Sequence, residues 1–423
     1  MAGPLAGVKV LEFTQIIAGP FCGMHLADMG ADVIKFEPPE GEPWRLFVQL
    51  VPKESRTFLS LNRGKRGVAM DLRKQDAQAI VQEMAKTADV VVINYRPGAA
   101  KRMGIDYETL SPLNPRLIYC ENTAFGRSGP LSHLGGYDIV VQGLTGLMAG
   151  EAKMEGDVPA YIYPAVADYA TGIQMSNAIC AALYAREKTG RGQRLDCTLL
   201  GTALAMQTSQ FTWIDAFDDG VLPAFLAEIE VARGEQKRFR EQLEVHDKYR
   251  PRAAGNIYYR VYQTSDGFVI VGALSDVLRR GVVEATGLSD PRMRPDGTWD
   301  LAMQLPPEQA AGMVAAAERL FLSKTTGQWL EILGAKNVPC GPLHFVEELF
   351  EHEQTKANNL VTEMAHPLLG HFRMVGAPFQ MSDTPLDPRE PSPTLGEDTD
   401  AVLLEYGIDA ARIATLREAG VIR

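Results

Sequence analysis

Asp168 stands in YIYPAVADYATGIQMSNAICAAL, between a proline-bearing loop and a run of small residues with helical spacing expected to begin near Gly172. An isolated aspartate ahead of a helix reads first as an N-cap, its carboxylate accepting main-chain N–H groups. The same placement is expected to keep the carboxylate ionised, as a nucleophile must be. Spacing alone does not choose between the two. Two basic runs follow the same logic: NRGKRGVAMDLR holds Arg63, Lys65, Arg66 and Arg73, and INYRPGAAKRMG holds Arg96, Lys101 and Arg102. Such runs are usually solvated faces. Both, however, fall beside strand ends of one α/β domain, where open sheets bind ligands, so a phosphate pocket is the functional reading. Gly19-Pro20 is either a plain turn into a helix or a helix N-terminus able to receive an anionic or thioester group. Gly19, Gly23 and Gly30 lack the spacing of a dinucleotide fingerprint. H-E-x-x-H, G-x-S-x-G and Walker A patterns are absent, which leaves zinc peptidase, serine hydrolase and P-loop readings without footing.

The elements that must position these residues alternate strand and helix. VKVLEF, ADVIKFE, GVAMDL, ADVVVIN, RLIYCENT and QRLDCTLL read as strands, and QDAQAIVQEMAKTA as the clearest helix between them. Strands alternating with helices imply βαβ units and a mainly parallel sheet, a Rossmann-like α/β arrangement. This large domain is assigned to residues 1–210 and completed by 375–423. The charged stretch 211–254 reads as an exposed helical connection. A smaller α/β domain is expected over 255–340, opening with a hairpin at Asp266-Gly267. Residues 341–374 read as a loop-rich return, and the chain ends in a helix capped by Asp409 and closed at Gly420.

Composition sets the outer limits. A chain of 423 residues exceeds what one ordinary core supports, and 46% apolar with 22% charged residues is the composition of an ordered globular protein. A net charge of −11 argues against a protein that coats nucleic acid, because phosphate binding rests on Lys and Arg. Five cysteines without C-x-x-C spacing suggest neither a disulfide framework nor a zinc site, and fit a reducing cytoplasm. The start MAGPLAGVKVLEF has no basic n-region, and no long apolar run occurs, so neither secretion nor a membrane span is expected.

Several long segments, in order, together resemble CoA transferases of family III, the group with formyl-CoA and carnitine-CoA transferases, also called the CaiB/BaiF family. They are LEFTQIIAGPFCGMHLADMGADVIKFEPP, LNRGKRGVAMDL, NYRPGAAKRMGIDYETLSPLNPRLIYC, HPLLGHFRMVGAPFQMSDTP and PSPTLGEDTD. The resemblance spans nearly the whole chain. It implies that Asp168, between Pro164 and Gly172, is the catalytic nucleophile. It also implies that Asn94, Tyr95 and Arg102 contact CoA, that Arg73 meets nucleotide phosphates and that Met70 lines the adenine side. Pro38 stands where some relatives have an arginine, so one phosphate contact is altered. CoA is then a substrate, with no permanently bound cofactor. The partners are an acyl-CoA and a free carboxylic acid, and two chains are expected to interlock as ring-shaped protomers of a homodimer.

The implied reaction moves CoA from a donor acyl-CoA to an acceptor acid through Asp168 anhydride and aspartyl-CoA thioester intermediates. A related alternative is the α-methylacyl-CoA racemases, whose histidine position is Tyr137 here; tyrosine is a poor proton acceptor at neutral pH. A non-catalytic acyl-CoA-binding protein is a remoter alternative, against which the retained Asp168 counts. Ile17 replaces a glutamine of the formyl-CoA:oxalate enzymes, and RPRAAGNIYYRVY lacks their run of glycines. A larger acid, a dicarboxylate with succinyl-CoA as donor, is therefore the expected substrate.

Overall fold

A computed structural model describes residues 3–250, 255–300, 302–388 and 390–423. They form two compact units, Met1–Asp218 with Gln354–Arg423, and Asp219–Glu353. The first boundary falls inside the expected connection 211–254, whose last residues, 251–254, lie outside the described residues. The second falls inside the expected return 341–374.

In the first unit the six expected strands pair as one sheet: β1 (Lys9–Phe13), β2 (Asp32–Glu37), β3 (Lys65–Ala69), β4 (Val90–Ile93), β5 (Ile118–Thr123) and β6 (Arg194–Thr198). Their spatial order is β6-β5-β4-β1-β2-β3, with every pair parallel. A parallel sheet is covered on both faces, so its strands tend to be continuous apolar runs; all of VVVI in the central strand β4 is buried. Val10 packs with Cys22, Leu26, Met175 and Ile179 on one face, contributed by helices α1 (Ala18–Asp28) and α4 (Val166–Thr189). Leu11 and Phe13 pack on the other face with Val81 and Met84 of α2 (Gln75–Ala85). Leu403 and Leu416, from two C-terminal helices, close that face.

Helices α1 and α4 pack closely because of a missing side chain. A Cβ at Gly172 would lie 2.7 Å from the Ala18 carbonyl oxygen. Between α1 and the sheet lies a buried charge cluster: Lys35 Nζ is 3.2 Å and Lys65 Nζ 2.9 Å from the Glu12 carboxylate. A Cβ at Gly23 would stand 1.7 Å from that carboxylate, so glycine leaves room for it. Burial of such charges is costly unless each is paired, and one acid here serves two lysines from different strands, tying β1, β2 and β3 together.

The second unit has its own core around Tyr262, Phe321 and Trp329. Its three-stranded antiparallel sheet contains the expected hairpin, Tyr259–Gln263 with Phe268–Gly272. The expected helical connection is two helices, Leu222–Gly234 and Phe239–Tyr249, joined by Glu228 to Lys248 at 2.6 Å. In the return segment the structure adds a hairpin that the strand reading passed over, Val361–His366 with Gly370–Val375. Among the described residues no helix is long and apolar enough to cross a membrane.

Candidate active site

Strand order reverses between β1 and β4, and in an open parallel sheet the crevice beyond the carboxyl ends of those strands is where ligands bind. The loop after β1 supplies Gln15, Ile16 and Ile17, and the loop after β4 supplies Asn94, Tyr95 and Arg96. Together with Asn122, Thr123, Gly135, Gly136, Tyr137 and Asp168 they line one cleft. A second cleft shares Gln15, Tyr95 and Arg96 with the first and extends along Pro38, Met70, Arg73 and Arg102. The two therefore adjoin. The site residues that the family resemblance singled out line one or both: Ile17, Asn94, Tyr137 and Asp168 the first, Met70, Arg73 and Arg102 the second, and Tyr95 both.

The β1–α1 loop is held at three points. Asn94 accepts the Gln15 N–H at 2.9 Å and donates to the Gln15 carbonyl at 2.8 Å. Glu42 accepts the Ile16 N–H at 2.8 Å, and Lys35 reaches the Thr14 carbonyl at 2.9 Å. Such anchoring matters because Ile16 has a φ of 73°, a left-handed conformation that a β-branched residue adopts only where its surroundings over-determine it. Asn94 thus shapes the cleft through the neighbouring main chain, besides lining it.

Asp168 sits in the first turn of α4, which begins at Val166 rather than near Gly172. The helix has no cap of its own, since Ala165 at the cap position offers no side-chain acceptor. Asp138, at the start of helix α3 (Asp138–Leu144), supplies it: one carboxylate oxygen accepts the N–H of Ala167 at 2.8 Å and of Asp168 at 3.1 Å. The capping role considered for Asp168 therefore belongs to Asp138. The Asp168 carboxyl, 9% exposed, accepts no hydrogen bond among the described residues. Burial, with the Asp138 charge adding to it, raises its pKa to about 7. This corrects the expectation of a low value, because desolvation outweighs the helix N-terminus. The result is a carboxyl in a cleft, poised to ionise near neutrality.

The basic runs divide by position. Arg63 is buried in a pair with Asp28 at 2.7 Å, Lys65 with Glu12, and Arg66 pairs with Asp32 at 2.7 Å. These three precede or begin β3, at the amino end of the sheet, and line neither cleft. Arg73 lies past the carboxyl end of β3, and Arg96 and Arg102 past that of β4, where a ligand can reach them. Arg73 is exposed and already shares Asp71, at 2.7 Å from its Nε, so a phosphate would meet the outer edge of its guanidinium. Met70 is buried and forms the floor of its cleft. Tyr137 is half exposed and precedes α3. Sequence reasoning missed Asp138 as a partner of Asp168, and Gln15, Ile16 and Glu42 as a shaped wall; no spacing links residues twenty-six or more positions apart.

Comparison with known proteins agrees along the whole chain. Residues 5–399 match the profile of CoA-transferase family III. The succinyl-CoA:glutarate CoA-transferase of Mus musculus is 32% identical, with 99% of this chain and 90% of that protein covered. The formyl-CoA:oxalate CoA-transferase of Rhodopseudomonas palustris (strain TIE-1) is 30% identical over 99% of this chain and 97% of its own length. The crystal structure of a CaiB/BaiF family protein from Brucella suis superposes with a TM-score of 0.73 at 28% identity, covering 96% of this chain and 100% of that one.

If Asp168 attacks as an anion, kcat/KM should rise with pH along a limb centred near 7, since protonation removes the nucleophile. The stability effect has the opposite sense. A carboxyl whose pKa is raised on folding stabilises the fold at low pH, and this is lost as pH rises from the unfolded value toward about 7. Asp168→Asn should therefore raise the melting temperature more at pH 8 than at pH 5. A flat rate profile between pH 5.5 and 8.5, or an equal gain at both pH values, would contradict this assignment.

Proposed function

The chain belongs to CoA-transferase family III and is a CoA transferase, and from that premise we propose that Asp168 carries first the acyl group and then CoA between a donor acyl-CoA and an acceptor dicarboxylic acid. The observation that carries this reading is the placement of one buried carboxyl, without a hydrogen-bond partner among the described residues, in a cleft that adjoins a second cleft bearing Arg73 and Arg102. Those arginines suit the phosphates of CoA, by charge-assisted contacts, while the thioester end enters beside Asp168.

In the first step a carboxylate oxygen of Asp168 attacks the thioester carbonyl. The C–S bond breaks, CoA leaves as thiolate, and an aspartyl acyl anhydride remains. The thiolate then attacks the aspartyl carbonyl, releasing the donor acid as its carboxylate and leaving an aspartyl-CoA thioester. The acceptor carboxylate attacks that thioester, expelling CoA thiolate and forming a second anhydride. Thiolate attack on the acceptor carbonyl gives the new acyl-CoA and restores the Asp168 carboxylate. No net proton or electron is consumed, so thioester energy is conserved, and burial of Asp168 limits loss of either intermediate to water.

The first cleft also supports the acceptor class. Ile16, Ile17, Val140 and Leu199 offer apolar wall to a methylene chain, and Arg96 is the basic side chain among its lining residues. The glutarate named for the mouse relative has such a chain between two carboxylates, whereas the oxalate named for the bacterial one has none. Both observations favour an acceptor of succinate or glutarate size.

Asp168→Asn keeps the size of the side chain but cannot form an anhydride. CoA binding and fold should survive while transfer falls on the order of 10⁶-fold; substantial residual transfer would end the proposal. With succinyl-CoA as donor and a panel of acids followed by mass spectrometry, glutarate should outrank both propionate and oxalate in kcat/KM. A preference for oxalate or for monocarboxylates would overturn the acceptor assignment.

A further inference from the structure

Asp138 is buried and is not itself a lining residue of the cleft, yet its charge acts on Asp168. Its first oxygen takes the N–H groups of Ala167 and Asp168, two donors that the first helical turn otherwise leaves unpaired. Its second oxygen accepts from the amide of Gln142, one turn along α3. Gln142, fully buried, also donates to the Ile162 carbonyl at 3.0 Å and accepts the Ile162 N–H at 2.8 Å. Both oxygens of Asp138 are thus occupied by donors, as befits an ionised acid. The loop before α4, the start of α4 and the start of α3 form one hydrogen-bonded unit.

A neutral cap would serve the helix as well: serine and asparagine rank with aspartate at such positions. The charge is therefore the unexplained part. We infer that Asp138 is a positioning residue for the transfer reaction, whose carboxylate fixes the main chain at Asp168 and sets a second negative charge beside the carboxyl that attacks. This rests on Asp168 being the carrier. Its consequence is chemical. A carboxylate stabilised by main-chain N–H groups is a weak nucleophile and a good leaving group; Asp138 takes those donors away and makes the Asp168 anion more basic, hence more reactive toward a thioester. Conversion of Asp168 to a neutral anhydride or thioester also relieves the repulsion between the two acids, which favours the covalent intermediates over the resting state.

The elements packed against the same helix carry other titratable groups: Cys22, His25 and Asp28 on α1, Cys120 and Glu121 on β5, and Arg194, Asp196 and Cys197 on β6, of which Glu121, Arg194 and Asp196 pair with one another on the far face of the sheet. Helix α5 (Leu199–Ala205) has none. Tyr95, Arg96 and Tyr137 line the cleft, and Tyr169 follows Asp168 in α4. Of all these, Asp138 is the charge that acts on Asp168.

The test is the pH dependence of kcat/KM in the native enzyme and in Asp138→Asn, Asp138→Ser and Asp138→Glu, with CoA binding as a check of fold. Both neutral variants should move the ascending limb to lower pH by roughly one unit, and their plateau kcat should fall at least tenfold with little change in KM for the acyl-CoA. Asp138→Glu keeps the charge and should leave the limb in place while lowering the plateau through lost geometry. Should Asp138→Asn fold poorly, the smaller serine gives the same comparison. A limb unmoved in the neutral variants would reduce Asp138 to a helix cap and overturn the inference. Failure of the carrier assignment itself looks different: the native enzyme would then show no limb near pH 7, or Asp168→Asn would keep its activity.

Discussion

The first turn of an α-helix presents N–H groups that no residue within the helix can satisfy, and in α4 a carboxylate thirty positions earlier in the chain satisfies them. Asp138 reaches Ala167 and Asp168 at 2.8 and 3.1 Å, and Gln142 holds Asp138 while clasping Ile162. With its donors already engaged, the helix terminus cannot solvate the carboxyl that it carries. Asp168 is left buried next to a like charge, and its proton affinity rises to the neutral range. A neutral capping residue would engage the same donors without that like charge, and would give a more stable anion and a poorer nucleophile.

The opposite wall depends on a different constraint. The β1–α1 loop passes through a left-handed isoleucine, Ile16, and is pinned by Asn94, Glu42 and Lys35. Lys35 pairs in turn with Glu12 and Glu42, at 3.2 and 3.4 Å, inside the core. A buried ion cluster is a poor source of net stability, since desolvation offsets the Coulomb gain. Here it links β1 and β2 to the loop that faces Asp168. The cleft is thus shaped by polar contacts beneath the sheet edge, and the apolar side chains of Ile16 and Ile17 line it as a result.

Strand alternation in the first half of the chain was legible because parallel strands covered on both faces are nearly continuous apolar runs, such as VVVI. All six expected runs pair in one sheet, and the helix over Gln75–Ala85 lies between two of them. The hairpin over residues 361–375 escaped notice because it is half exposed, with Pro367 and Gly370 at its turn resembling a loop. In the basic run at 63–73 the residue types were visible but not the end of the sheet at which each falls. Arg63, Lys65 and Arg66 are consumed by Asp28, Glu12 and Asp32, all remote in sequence. Asp168 could be singled out from its flanking segment, while its raised proton affinity could not, because burial and the approach of Asp138 are properties of the packed structure alone.

The covalent role of Asp168 has an atomic signature. In the proposed cycle the acceptor carboxylate gives one oxygen to the aspartyl group when the second anhydride is cleaved at the acceptor carbonyl. A single turnover with acceptor acid labelled with ¹⁸O in its carboxylate oxygens, followed by proteolysis and mass spectrometry, should therefore add one ¹⁸O to the peptide containing Asp168 and to no other. Direct reaction between acceptor and acyl-CoA would leave that peptide unlabelled while CoA transfer proceeds, and that result would contradict the account.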